Sequence, residues 1–376
     1  MTKPFYNIVI LLLIFCSCTN KKIEMKEFEE NIYIPSYSSN FLISGSKDSR
    51  DVLISAFNPW QGSKDVSSVL LIKKDSLETS DFGGKTLKDK AQRIICMSST
   101  HIAMLDALGG MDKVVGVSGM QYISNPYIRE NQDRIKDIGY EGNIDYETLV
   151  SLRPDLVLLF SVNGASSMES KLNELGIPYI YIGDYVEEDP LGKVEWIVPL
   201  AEIIGDRDEG IHKFQDIAYK YEHLKEKIKR ENLDKPKVMV NAPFLDSWFM
   251  PSTQSYIARM IEDAGGDYVY KKNTGTISEA IDLEEALSLV SLADYWINIG
   301  SINTLQELKS EFPKFKNATC IKNGNVYNNN LKKSEGGGND CYESGVVNPD
   351  LILRDMIKIF HPELVTEIFT YYHKLQ

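Results

Sequence analysis

The sequence predicts an α/β fold: two Rossmann-like lobes with parallel sheets, joined by one long backbone helix, plus a small β-rich N-terminal extension. A helix that ends in a double glycine occurs twice, in SSTHIAMLDALGG and in SYIARMIEDAGG. A helix headed by glutamate and followed by an apolar strand also occurs twice, at 142–160 and 281–299. Between the halves, apolar residues spaced by three and four over 206–232 predict one amphipathic helix.

Length and charge narrow the class of protein. The chain has 376 residues, of which 43% are hydrophobic and 25% charged, enough for two lobes with separate cores. The net charge is -13 and the pI is about 5.0. Because binding to a phosphate backbone needs basic surface, this balance argues against a nucleic-acid partner.

The first eighteen residues, MTKPFYNIVILLLIFCSC, have the features of an export signal. The apolar run is too short to span a bilayer, and the cysteines followed by TNKK are typical of a bacterial lipoprotein signal. We expect Cys18 to carry the lipid, with Cys16 as a rival, and an ordinary signal peptide is the alternative. The predicted location is the cell envelope (periplasm), with an N-terminal lipid as the membrane contact.

Residues 19–90 form the predicted β-rich extension. Four short β-like runs, NIYIPSY, NFLISGS, DVLISAF and SSVLLIKKD, are separated by turn-forming residues. Trp60 lies in a turn, and we expect it to pack the extension against the main body rather than to contact a ligand. The pattern assigns no function to this segment.

The remaining chain divides into a lobe at 91–185, a linking helical segment at 186–235 and a lobe at 236–376. The first lobe has predicted strands at 93–97, in VVGVSG, at 155–160 and in YIYIG. The second has them at 237–241, in DYVYKK and at 293–299. The run at 155–160 has no polar alternation, which indicates a strand covered on both faces.

From about residue 91 onward, the chain resembles the periplasmic substrate-binding proteins of ABC importers for iron complexes and cobalamin. The resemblance lies in RIICMSSTHIAMLDALGGMDKVVGVSG, NIDYETLVSLRPDLVLL, LGIPYIYIG, DAGGDYVY and NPDLILRDMIKIFHP, in this order. It implies a monomer that captures a metal chelate between its lobes and delivers it to a permease with its ATPase. It implies no catalysis, no cofactor and no resident metal.

The family also implies a role for the repeated glutamate helix. Its lobes each present a glutamate that docks onto arginines of the permease. By position these are Glu147 and Glu284, with Glu285 as a rival for the second. The alternative is that both are acidic residues favoured in the first turn of a helix by its dipole.

Ligand contacts are expected at the carboxyl ends of the strands, where open α/β sheets place their sites. Aromatic side chains there offer flat surface to a macrocycle. The candidate ligand-binding residues are Ser99, Thr100, His101, Tyr122, Tyr140, Phe160, Trp248 and Tyr342.

The chemistry of these loops favours one class of ligand. The loop 98–101 lacks the proline and the acid usual in the family, and Lys332 and Lys333 are the obvious cations. Anionic ferric siderophores generally call for arginines. A ligand site whose loops are aromatic and weakly cationic therefore favours a corrinoid such as cobalamin over an iron complex. His101 is expected to be a metal ligand or a hydrogen-bonding loop residue.

The sequence also bears on other classes of protein and on the state of the cysteines. The histidines show no zinc-protease spacing, which argues against a metalloenzyme. A cell-envelope lipoprotein that uses its extension for adhesion or assembly is the alternative function. Cys96 is expected to be a buried hydrophobic residue, and the sequence leaves open whether Cys320 and Cys341 pair.

Overall fold

The computed structural model describes residues 28–47, 49–74, 85–231 and 233–376. The predicted signal peptide and the lipidation candidate Cys18 lie outside these residues. Within the described ranges, no helix combines the length and the apolar character needed to cross a bilayer.

The extension forms a five-stranded sheet in which the strands follow chain order. Its strands are β1 (Glu30–Tyr33), β2 (Phe41–Gly45), β3 (Val52–Phe57), β4 (Ser67–Lys73) and β5 (Thr86–Lys88). Neighbours are antiparallel, except that β4 and β5 are parallel. The first four strands coincide with the four runs predicted from the sequence.

The first lobe is built on a parallel sheet of order β12-β11-β6-β7-β8. Its strands are β6 (Ile94–Cys96), β7 (Val114–Val117), β8 (Lys136–Asp137), β11 (Leu156–Leu159) and β12 (Tyr179–Tyr181). A small hairpin of β9 (Gly139–Tyr140) and β10 (Asn143–Ile144) precedes one of the helices. The helices are α1 (Ser99–Ala107), α2 (Pro126–Glu130), α3 (Tyr146–Ser151) and α4 (Met168–Glu174).

Both faces of this sheet are covered, as the apolar strands predicted. Ile94 and Cys96 belong to one buried cluster, whereas the intervening Ile95 belongs to another on the opposite face. The alternation arises because successive side chains of a strand point to opposite sides. Helix α1 ends before Gly109, whose φ of 67° supplies the left-handed conformation that closes it.

A helical segment links the lobes. Helices α5 (Pro190–Glu195) and α6 (Ile197–Ile204) precede α7 (Arg207–Arg230), which has 24 residues and is about 36 Å long at 1.5 Å per residue. Acidic residues begin α7 and basic residues end it, which complements the helix dipole. The predicted backbone helix is confirmed.

The second lobe has a five-stranded sheet of order β15-β13-β17-β18-β19. Its strands are β13 (Lys237–Val240), β15 (Asp267–Tyr268), β17 (Tyr295–Ile297), β18 (Val326–Asn328) and β19 (His373–Lys374). A separate two-stranded antiparallel sheet pairs β14 (Ser247–Met250) with β16 (Glu279–Asp282). The helices are α8 (Tyr256–Asp263), α9 (Leu283–Leu292), α10 (Leu305–Glu311), α11 (Thr319–Lys322) and α12 (Pro349–Phe360). The sheet is parallel except for the C-terminal β19, which sequence analysis did not predict.

The extension packs on the first lobe. Trp60 lies edge-on to Tyr181 of β12, with ring centroids 5.3 Å apart, as expected from its turn. Buried residues of β2, β3 and β4 belong to the same apolar cluster as α1 and α6. The extension is therefore continuous with the core of the lobe.

Candidate functional site

The carboxyl ends of the first lobe's strands surround a cavity of about 380 Å³. Ser99 follows β6, Tyr122 follows β7 and Phe160 follows β11, while Tyr140 reaches the cavity from the β9–β10 hairpin. These four predicted residues are brought together because parallel strands end at one edge of the sheet.

Asp137 holds two parts of this cavity in place. Its carboxylate accepts hydrogen bonds from the backbone N–H groups of Gly119, at 3.1 Å, and Met120, at 3.0 Å. It also accepts one from the N–H of Gly139, at 2.9 Å. One side chain thus fixes both the loop that carries Tyr122 and the hairpin that carries Tyr140.

A second cavity, of about 290 Å³, lies between the lobes. It brings together the predicted residues Thr100 and Tyr342 from opposite lobes. Its one lysine, Lys193, donates to the buried Asp184 at 3.1 Å, and Thr100 donates to the same carboxylate at 3.3 Å. Because the carboxylate of Asp184 compensates the charge of Lys193, the cavity is only weakly cationic.

Exposed tyrosines are the common feature of the two cavities. Tyr122 and Tyr140 are 52% and 58% exposed, and Tyr342 is 53% exposed. Tyr185, which sequence analysis missed, is 44% exposed and lines the interlobe cavity. It follows β12, so the strand-end rule could have found it. We call the surface formed by these four residues the tyrosine cleft.

The ligand-contact prediction for His101 must be corrected. The side chain is fully buried on α1, and neither ring nitrogen has a hydrogen-bond partner. Burial lowers the pKa of this imidazole to about 4, so the ring is neutral near pH 7. The prediction failed because His101, the third residue of α1, faces the sheet that this helix covers and not the cavity at the strand ends.

The prediction for Trp248 is also corrected. Trp248 has no exposed surface, stacks obliquely on Trp296 at 5.3 Å and donates its indole N–H to the Val240 carbonyl at 2.9 Å. It lies in strand β14, where side chains alternate, so the neighbouring Phe249 is the exposed one. A loop was expected at this position, and a strand of the two-stranded β14–β16 sheet occupies it.

The second lobe adds exposed apolar residues that the prediction lacked. Phe244 and Leu245 follow β13 and are 66% and 82% exposed. Three positions near the ends of the strands, Asn241, Leu245 and Asn298, have left-handed backbones with φ between 54° and 65°. Such strain in non-glycine residues is concentrated at functional sites.

The lobes contact each other on one side of the tyrosine cleft. The buried carboxylate of Glu343 accepts hydrogen bonds from the N–H groups of Ser124 and Asn125 of the first lobe, both at 2.7 Å. The backbone of Gly338 lies so close to Tyr122 that a Cβ would be 1.6 Å from its carbonyl oxygen. This glycine therefore permits the lobes to close.

The two glutamate helices are built alike. Asp145 caps α3 and Asp282 caps α9, and Glu147 and Glu284 are each the second residue of their helix. Both glutamates are exposed. Glu285, in contrast, forms an ion pair with Lys272. Position and freedom from an ion pair within the described residues single out Glu284 as the counterpart of Glu147.

The three cysteines among the described residues form no reactive site. Cys96, Cys320 and Cys341 are free and buried, and burial raises the pKa of the Cys320 thiol to about 11. The described part of the chain also contains no group of three or more histidine, cysteine or acidic side chains placed to hold a metal ion.

This architecture and its interlobe cleft match a known family model. The model for periplasmic binding proteins matches residues 94–329, which include the first lobe, the connecting helix and the second lobe as far as β18. The chain belongs to the periplasmic binding protein family. The two separate sheets, parallel except for β19, and the single backbone helix agree with the fold that the sequence predicted.

Individual relatives of this periplasmic binding protein share less of its sequence. An uncharacterised lipoprotein of Methanocaldococcus jannaschii is 27% identical over 74% of this chain and 67% of its own length. A vitamin B12-binding protein of Vibrio campbellii is 32% identical, but the match covers 38% of this chain and 49% of that protein.

Solved structures with the same fold include other periplasmic proteins. A haem-binding protein from Pseudomonas aeruginosa matches with a TM-score of 0.60 at 16% identity, covering 76% of this chain and 98% of that one. A protein of an Fe³⁺-hydroxamate ABC transport system from Saccharomonospora viridis matches with a TM-score of 0.53 at 16% identity, covering 72% and 94%. At such identities the likeness is one of fold.

Proposed function

We propose that this periplasmic binding protein is the lipid-tethered receptor of an ABC importer. It captures a metal chelate, a corrinoid or an iron complex, in the tyrosine cleft and delivers it to a permease that works with an ATPase. It acts as a monomer in the cell envelope and performs no chemistry on the ligand. The observation that carries the proposal is the set of four exposed tyrosines that line the strand-end cavity of the first lobe and the cavity between the lobes.

The charge of the cleft favours a weakly charged, planar ligand. Lys193 is paired with Asp184, and the exposed aromatic rings offer flat contact surfaces. Lys332 and Lys333 line another cavity, of about 860 Å³, beside helix α7. These features support a corrinoid or another large neutral chelate over an anionic siderophore.

Delivery requires a defined orientation on the permease. We propose that Glu147 and Glu284 dock there, because they are the matched exposed acids of the two lobes. Exposed ion pairs contribute only about 0.2 to 1 kcal/mol each, so the pair would fix register more than affinity.

The adhesion alternative is weaker because the extension is not a free module. Its apolar face is part of the core of the first lobe, which leaves less surface for a partner.

The test is retention of a coloured ligand. Purified protein is mixed with cyanocobalamin, haemin or a ferric hydroxamate, passed through gel filtration, and its visible spectrum recorded. We expect one of these to co-elute at one equivalent, cyanocobalamin first. If all three separate completely from the protein, the proposal is wrong.

A further inference from the structure

The extension is fixed rigidly to the first lobe by a buried carboxylate. Glu195 of α5 has no exposed surface and accepts four hydrogen bonds from the end of β1 and the segment that follows it. The donors are the Tyr33 hydroxyl at 2.7 Å and the N–H groups of Ser36, Tyr37 and Ser38 at 2.7 to 2.8 Å. A buried carboxylate saturated in this way holds its partners firmly, because leaving it unpaired is costly.

Further contacts fix other parts of the extension. Lys74 donates to the buried Glu202 of α6 at 2.7 Å. The ring of Phe41 packs on Trp196 at 4.9 Å. The extension therefore moves with the first lobe, and its loops have a defined position relative to the cleft.

One of these loops, the turn at residues 58–65, lies at the ligand edge of the first lobe. The N–H of Gln61 donates to the carbonyl of Val162, in the loop after β11, at 3.1 Å. Within the turn, Asn58 exchanges two hydrogen bonds with Val66, at 2.8 and 3.1 Å. Gly62 has a φ of 71°, which closes the turn without strain.

This turn borders a cavity of about 720 Å³. The opposite walls are the segment Tyr185–Asp189, where the first lobe meets the linking segment, and parts of the second lobe at 251–259 and 276–278. Tyr185 and Tyr256 line both this cavity and the interlobe cavity of 290 Å³. The extension thus forms a third wall beside the tyrosine cleft.

The third wall differs from the cleft in chemistry. Besides the aromatic Tyr37 and Trp60, its side chains are amides and hydroxyls with one lysine, Lys64, which is exposed. On the opposite wall the charge of Arg259 is compensated by Glu188 and Asp189, at 3.4 and 3.7 Å. The Lys64 ammonium has no ion pair among the described residues, so it is available to an incoming acceptor.

We propose that the extension is a specificity element, in which Gln61 and Lys64 bind a polar, oxygen-rich appendage of the chelate held in the tyrosine cleft. This rests on the proposed function. The appendage presents amide or phosphate oxygens, which accept hydrogen bonds from an ammonium and an amide. The aromatic cleft holds the macrocycle, and the third wall discriminates among chelates that differ outside it.

The test uses Gln61→Ala and Lys64→Ala, with Lys47→Ala as the matched control. Lys47 is an exposed lysine of the same sheet, in the turn at its opposite end. Dissociation constants are measured for whichever of cyanocobalamin, haemin and ferric hydroxamate the wild type retains. A lost hydrogen bond to a charged group corresponds to roughly 10-fold weaker binding, which we expect for Lys64→Ala and not for Lys47→Ala.

If cyanocobalamin is retained, cobinamide provides a second arm, because it keeps the corrin ring and lacks the phosphate-bearing nucleotide. We expect the wild type to bind cyanocobalamin more tightly than cobinamide, and Lys64→Ala to lose most of this difference. If Lys64→Ala weakens the binding of both compounds equally, Lys64 contacts the amide oxygens of the corrin ring instead of the phosphate. If both the Gln61 and the Lys64 variants keep the affinity and the melting temperature of the wild type, the proposal that the extension is a specificity element is wrong. Retention of no chelate by wild type overturns the proposed function and this inference with it.

Discussion

Glu343 of the second lobe binds the backbone N–H groups of Ser124 and Asn125 of the first, 2.7 Å from each. These residues are more than 200 positions apart in the chain. The carboxyl group is buried, and burial raises its pKa to about 7 from an ordinary value of 4.5. This contact between the lobes should therefore depend on pH.

Protonation of Glu343 is more favourable in the folded protein than in the unfolded chain. Its contribution to stability is fully present below about pH 4.5 and is lost as pH rises through about 7, amounting to about 3 kcal/mol. Glu343→Gln should flatten this part of the profile of unfolding free energy from pH 4.5 to 8. A profile identical to that of wild type would contradict the expectation.

His101 should act in the opposite direction. Its pKa is lowered to about 4 from 6.5, so its contribution is present above pH 6.5 and is lost as pH falls through 4. His101→Leu removes two buried ring nitrogens that lack partners, and we expect stability at pH 7 to be unchanged or higher by about 1 to 3 kcal/mol. Urea unfolding at pH 5 and pH 7 measures both effects. Marked destabilisation at pH 7 would show that the imidazole has a partner.

Trp248 and its neighbour Phe249 test the correction to the predicted site. Trp248→Ala should cost about 3 to 5 kcal/mol, because a large buried ring and its hydrogen bond are lost. Phe249→Ala, at an exposed position of the same strand, should change the free energy of unfolding by less than about 0.5 kcal/mol. Denaturation with urea measures both, and equal losses would refute the assigned strand orientation.

The tyrosine cleft predicts a graded loss of affinity. Tyr342→Ala should weaken binding of the retained chelate about 2- to 12-fold, the range expected for one aromatic contact, whereas Tyr342→Phe keeps the flat ring and should retain affinity. Tyr219→Ala, at an exposed position on α7 away from the cleft, serves as the control. Titration calorimetry gives the three constants. An equal effect from the Tyr219 variant would indicate a non-specific change.

Substitutions that prevent docking on the permease should leave binding of the chelate unchanged. Reversing both charges, Glu147→Arg with Glu284→Arg, should abolish uptake while the dissociation constant of the chelate stays at the wild-type value. Glu285→Arg tests the rival acid and should leave most uptake, because Glu285 is engaged with Lys272. Uptake of labelled chelate by cells and binding by purified protein are measured in parallel. Lost chelate affinity in the double variant would refute the division of labour.

Local sequence patterns predicted much of the fold but less of the candidate site. The first four strands of the extension, the apolar strands of both lobes (β6, β7, β11, β12, β13, β15 and β17) and helix α7 follow apolar periodicity, which depends on near neighbours in the chain. Strand ends also located Ser99, Thr100, Tyr122, Tyr140, Phe160 and Tyr342 at cavities. His101 and Trp248 were misplaced, because an aromatic residue near a strand end has no local mark of the direction it faces.

The sequence alone determined two α/β lobes, their connecting helix and the loops that end at the ligand edge. These features depend on side-chain spacing and on residues that begin or end helices. Tertiary structure decided which side chains face the cleft, how Glu343 joins the lobes and where the extension lies. Those outcomes depend on packing between segments separated by more than 100 residues, and no short-range pattern encodes such contacts.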